Sequence, residues 1–179
     1  MGLFHFKLHR FLFKIFLFAT GILFCSQLVS EDKFPPLVFF EKSDYSSANL
    51  SSKQYLKSDP NNPISLRIFF LTEPSLSSLQ ASLNSIELQP ESNEMVGLYN
   101  IAMEKAMVAN NTEYGLKWGE KIYETWKDRE NSHKSIYFYA YFLSTTDQSI
   151  KLGEVLNWLR LNTKSKSIKR KLDLLSGGH

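Results

Sequence analysis

Few residues in this chain have the types and spacing that chemistry requires. The sequence holds four histidines and a single cysteine. His133 falls in the polar stretch "KDRENSH" and His179 is the last residue. No His, Cys, Asp or Glu grouping has the spacing of a metal site. No nucleophile elbow, phosphate-binding loop or dinucleotide fingerprint occurs. Glu120 and Glu124 stand one helical turn apart, a separation that would suit a carboxylate pair. Lys117 and Lys121 alternate with them, so this reads as a solvated, ion-paired helix face. The chain is therefore expected to be non-enzymatic, with no cofactor and no bound metal.

The densest cluster of chemically useful side chains is aromatic. "SIYFYAYFL" places Tyr137, Phe138, Tyr139, Tyr141 and Phe142 around most of a helix. A helix apolar on all sides is usually buried. Tyr137 and Tyr141 also lie one turn apart, and tyrosine combines apolar area with a hydroxyl suited to recognition. A second cluster, "TKSKSIKRK", is basic. It reads as a solvated helix face, with contact to an acidic partner or to anionic lipid as the functional alternative.

The segments around these clusters set their context. Lys7, Arg10 and Lys14 precede the apolar run "IFLFATGILFC", which gives way to "SQLVS" and the acids Glu31 and Asp32. Basic, then apolar, then small and polar is the order of a secretory signal peptide. Residues 1–30 are read as that signal, which implies export to the periplasm or outside a bacterial cell. The alternative is a membrane-tethered envelope component, held by lipid on Cys25 or by an uncleaved N-terminus. The three basic residues of this segment account for the whole net charge of +3, which leaves 18 basic and 18 acidic residues beyond it. A balanced chain gives no electrostatic case for nucleic-acid binding.

Beyond the signal, residues 31–45 are expected to form an irregular linker or strap, because Pro35 and Pro36 interrupt regular structure. Residues 46–175 read as a helical domain, with a flexible tail at 176–179. The composition, 43% hydrophobic and 14% aromatic, supports a real core. A weak helix over 46–58 is expected to bury Leu50, Tyr55 and Leu56. "ISLRIFFLTE" carries both strand-like and helix-like patterns, and its context favours helix. Further helices are expected from Pro74, at 93–110, 112–127, 132–145 and 149–162, and in the basic segment "KSIKRKLDLL". Asn110 and Glu113 have the spacing of a capping box at the start of the 112–127 helix.

The turns repeat. "LKSDPNNP" and "IELQPESN" each end a helix in a proline-marked turn, with Pro60 and Pro90 separated by 30 positions. "LKWGEKI" (116–122) realigns with "IKLGEVL" (150–156) at a shift of 34, matching Lys117 with Lys151, Gly119 with Gly153 and Glu120 with Glu154. "LYNIA" (98–102) and "IYFYA" (136–140) share a pattern at a shift of 38. With these turns and a helix–turn–helix period near 34, the chain resembles the tetratricopeptide-repeat family. The resemblance implies an all-α fold of antiparallel hairpins stacked as a short right-handed solenoid, with the basic last helix as a cap. It also implies that the first helix of each hairpin lines a concave face that binds a peptide or protein partner. On that mapping Tyr137 and Tyr141 face the groove, Tyr99 and Met103 occupy the matching positions one repeat earlier, and Arg67 two repeats earlier.

Overall fold

Short polar side chains set the helix boundaries. Asp44, Asn62, Ser75, Ser92 and Asn111 each accept a hydrogen bond from the backbone N–H three residues on. This N-cap geometry satisfies a donor that the first helical turn leaves open. The computed structural model describes residues 34–176 apart from position 91. Among the described residues there are nine α-helices, one 3₁₀ turn and no strand. The capped helices are α2 (Tyr45–Ser58), α3 (Pro63–Thr72), α4 (Leu76–Ser85), α5 (Asn93–Ala109) and α6 (Thr112–Trp126). A 3₁₀ turn at Glu130–Ser132 leads into α7 (His133–Ser144), followed by α8 (Ser149–Asn162) and α9 (Lys166–Ser176). The reading of residues 1–30 as a signal, and of Cys25 as a lipid site, falls outside the described residues.

Three local expectations are corrected. Pro35–Glu41 is a helix, α1, rather than an irregular strap. Proline is compatible with a first helical turn because the N–H it lacks has no intrahelical partner there. Helix α2 buries Ala48, Ser51 and Ser52, while Leu50 is 62% exposed and Tyr55 also faces solvent. Small residues let α2 lie close to its neighbours, and the Ser52 hydroxyl is satisfied by the carbonyl of Ala48 at 2.7 Å. Asn110 does not cap α6. It closes α5 in the left-handed conformation, φ 48°, and Asn111 caps α6 instead. Asparagine tolerates that conformation better than most residues. "ISLRIFFLTE" is helical, as expected, with Pro63 in the first turn.

The main helix contacts join neighbours one or two places apart in chain order. Helix α1 packs on α2 and α3, α3 on α5, α5 on α6 and α7, and α7 on α8 and α9. Polar ties also join helices that are not adjacent in the chain. Trp118 Nε1 donates to Gln80 Oε1 at 2.8 Å, joining α6 to α4. Trp126 Nε1 donates to the Pro90 carbonyl at 2.9 Å. The Tyr123 hydroxyl donates to Glu154 Oε1 at 3.0 Å, joining α6 to α8. Between these ties runs one apolar interior that includes Phe70, Leu79, Met103, Ile122, Ile136, Phe142, Leu159 and Leu172, all fully buried. Each such side chain contributes about 1.5–3 kcal/mol relative to an exposed position.

Burial repeats along the chain with its own spacing. A shift of 37 carries Met95, Val96, Leu98, Tyr99, Ala102, Met103 and Ala106 onto Ser132, His133, Ser135, Ile136, Tyr139, Ala140 and Leu143, buried in both sets. The same shift carries Gly115, Trp118, Gly119, Ile122 and Trp126 of α6 onto buried Leu152, Val155, Leu156, Leu159 and Thr163. One step earlier, a shift of 30 carries Ser65, Leu66, Ile68 and Phe69 onto Met95, Val96, Leu98 and Tyr99. The proline-to-proline spacing of 30 thus coincides with the burial pattern. The shift of 34 does not: it pairs Gly119, which is buried, with Gly153, which is exposed.

Candidate functional site

Two glycines set the rotation of the aromatic helix. A Cβ built on Gly115 would overlap the ring of Phe142, and one on Gly119 would overlap the near end of the Tyr139 side chain. Phe142 and Tyr139 therefore seat in notches on α6. With Ile136, Tyr139, Ala140, Phe142 and Leu143 committed to the core, the remaining face of α7 carries Lys134, Tyr137, Phe138 and Tyr141. Lys134 is exposed and the three aromatics are half-buried.

The side chains of this face are held in one surface. Burial, and then the neighbouring Tyr141 hydroxyl, push the Tyr137 phenol above its ordinary value, so Tyr137 remains a neutral donor at physiological pH. The Lys171 ammonium of α9 lies 5.8 Å from the centroid of the Tyr137 ring. Lys134 Nζ lies 5.5 Å from that of Phe138 and pairs with Glu104 Oε1 at 2.7 Å. Ser135 donates to Asn100 Oδ1 at 2.7 Å, and the Asn100 amide donates to the Asn131 carbonyl at 3.1 Å. Helix α5 thereby holds α7 along the edge of its aromatic strip.

The residues singled out from sequence separate into two groups. Tyr137 and Tyr141 are brought together on the outward face of α7, and Arg67 is exposed on α3. Met103 is fully buried, and Tyr99 is only 9% exposed with its ring 5.0 Å from that of Trp126. Both belong to the core side of α5. The outward side of that helix carries Gly97, Ile101, Glu104 and Val108. The pattern match at a shift of 38 is one residue longer than the burial shift, and one residue is a rotation of about 100° around a helix. At 37, Tyr137 and Tyr141 correspond to Asn100 and Glu104, which lie beside the strip. The i, i+4, i+7, i+11 spacing of Gly97, Ile101, Glu104 and Val108 was the available signal for that side.

A second polar feature lies where α3 ends. Glu73 is almost fully buried. Its Oε2 accepts from Lys53 at 2.6 Å and from Asn49 at 3.4 Å, and its Oε1 accepts from the Ser75 N–H at 3.1 Å. Burial pushes this carboxyl up, but the bonds from Lys53, Ser75 and Asn49 outweigh it and leave the group below its ordinary value. The Glu73 carbonyl accepts from Lys105 Nζ at 2.7 Å. Burial lowers Lys105 to about 8 against an opposing pull from Glu73. The cluster joins α2, α3 and α5 through satisfied pairs and serves packing.

Two shallow clefts of about 210 and 330 Å³ flank the α6–α7 turn, and Glu130, His133 and Lys164 line both. His133 is the buried first residue of α7 rather than an open turn residue, with its ring edge-on to Trp158 at 5.2 Å. Among the described residues no group of three His, Cys, Asp or Glu side chains is placed to hold a metal ion. None of the described helices is long and apolar enough to cross a membrane. Comparison with protein-family models, with curated proteins and with solved structures finds no match.

Proposed function

We propose that this chain is an exported, non-enzymatic, tetratricopeptide-like interaction module. It holds a peptide or protein partner on the face formed by α3, α5 and α7, with no cofactor. The observation that carries this reading is the outward strip of Tyr137, Phe138 and Tyr141. Helix α7 is already locked into the core by five apolar residues, and these three further aromatics pack against that core while keeping part of their ring area open to solvent. Such rings are well suited to a partner, since they bring large apolar area with few rotamers to freeze.

The stacking reading draws support from two features. Helix contacts run between chain neighbours, which is the arrangement of a linear stack of hairpins. The burial pattern repeats across two successive steps in the first helices, and across one step in the second helices. The unequal steps of 30 and 37 follow helix length: α3 and α4 have 10 residues each, and α5 and α6 have 17 and 15.

The test is capture of partners from an extracellular or periplasmic fraction of the host, using wild type and the Tyr137→Ala, Tyr141→Ala double variant. Circular dichroism confirms that the variant is folded. Loss of a specific captured protein supports the proposal. Capture undiminished by the double substitution overturns it.

A further inference from the structure

The most one-sided charge on the described surface is on α9. Lys166, Lys169, Arg170 and Lys171 are all exposed, and Asp173 is the one acid in the sequence of that helix. None of the ion pairs among the described side chains involves these four cations. The cationic face adjoins the aromatic strip, because Lys171 reaches over the ring of Tyr137. At the other edge of the strip Lys134 lies over Phe138. The three aromatic rings are thus bracketed by ammonium groups. The other side of α9 is committed elsewhere: Ile168 and Leu172 are buried in the core.

We propose that α9 and the outward strip of α7 form one docking surface for an acidic protein segment with an apolar anchor. The proposal rests on the interaction-module reading and adds the chemistry of the partner. Carboxylates of the segment meet Lys169, Arg170 and Lys171, and an apolar side chain between them covers Tyr137 and Tyr141. Complementary charge of this kind steers encounter and sets register, while the aromatic contact holds the complex. An anionic bilayer is the weaker fit. A helix that lies on a membrane buries its own apolar face among the lipids, and Ile168 and Leu172 of α9 are already buried in the protein core.

The test uses the full chain and a short synthetic peptide of alternating glutamate and leucine. A matched peptide carries glutamine for glutamate, and phosphatidylglycerol–phosphatidylcholine vesicles stand in for a membrane. Protein variants are Lys169→Glu, Arg170→Glu, Lys171→Glu combined, and the milder combination of glutamine at the same three positions. The acidic peptide is expected to bind wild type, to weaken about tenfold or more on charge reversal, and to weaken with added salt. The glutamine peptide is expected to bind far less. Absence of acidic-peptide binding, binding unchanged in both variants, or binding of wild type to vesicles alone overturns the proposal. A host partner lost by the tyrosine double variant but retained by the charge-reversed protein would leave the interaction module standing and remove the acidic partner.

Discussion

Gly119 of α6 lies so close beneath Tyr139 of α7 that a single methyl group there would overlap the ring and its Cβ. The clash is with the root of the side chain, which cannot swing away without moving α7. Gly119→Ala is therefore expected to destabilise the fold by about 1–3 kcal/mol, the usual cost of overpacking a core. That corresponds to a fall in melting temperature of roughly 2–10 °C for a domain of this size. Gly153→Ala provides the contrast. Nothing lies within 4 Å of its added Cβ, so it is expected to stabilise by up to about 1 kcal/mol through helix propensity alone. Thermal melts of the two variants check both signs, and equal effects would contradict the burial register.

Glu73 and Lys53 meet at 2.6 Å, but the two ends of this pair are unequal: Glu73 is buried and the Lys53 side chain is about half exposed. Glu73→Ala leaves the Ser75 N–H without its acceptor and the Asn49 amide with Thr72 Oγ1 alone, and is expected to cost about 2–3 kcal/mol in urea denaturation. Lys53→Ala leaves the buried Glu73 carboxylate without its cation but keeps its bonds from Asn49 and Ser75, and is expected to cost less, about 1–2 kcal/mol. A larger loss from Lys53 than from Glu73 would contradict this reading.

The same carboxyl predicts acid sensitivity. Its folded-state value is depressed below 4.5, so its contribution is fully present above that pH and is lost as pH falls through the folded value. Wild type is expected to lose more stability than Glu73→Gln on acidification below about pH 4.5. Parallel acid titrations of the two proteins, followed by circular dichroism, check this.

Lys105 acts in the alkaline range. Its folded value is about 8 against 10.5 when unperturbed. The folded protein gives up this proton before the unfolded chain does, so the contribution to stability rises with pH between about 8 and 10.5. Above pH 10 the buried tyrosines oppose it, because burial raises Tyr123 to about 12 and the unfolded chain ionises first. Lys105→Met is expected to abolish the rise between pH 8 and 10. Denaturation midpoints at the two pH values for wild type and variant make the comparison.

The helices other than α1 were legible in the sequence, and the boundaries of several are written in local chemistry. Asn62–Pro63, Ser75, Ser92 and Asn111 cap or open helices wherever they fall, independent of tertiary context. The register of one helix on another was not legible. Gly119 and Gly153 match as letters, yet one is a notch for a tyrosine and the other faces solvent, a difference that exists only once α7 is in place. The likeness of "LYNIA" to "IYFYA" points Tyr99 and Met103 outward, and a slip of one residue turns them through the helix from surface to core. Leu50 was assigned inward by its hydrophobicity, but α2 packs through Ala48 and Ser52, where small size rather than apolar area decides the contact. That Tyr137 and Tyr141 share one face of α7 is legible, because a spacing of four on one helix needs no knowledge of a neighbour.

The central claim is that a partner docks over the outward strip of α7, and site-specific photo-crosslinking tests it most directly. A benzophenone amino acid placed at position 141 is expected to crosslink a discrete partner in the host fraction. The same group at position 150 on α8, where Ile150 is 90% exposed, is expected to give none. Crosslinks from position 150 but not from 141, or identical products from both, would contradict the claim.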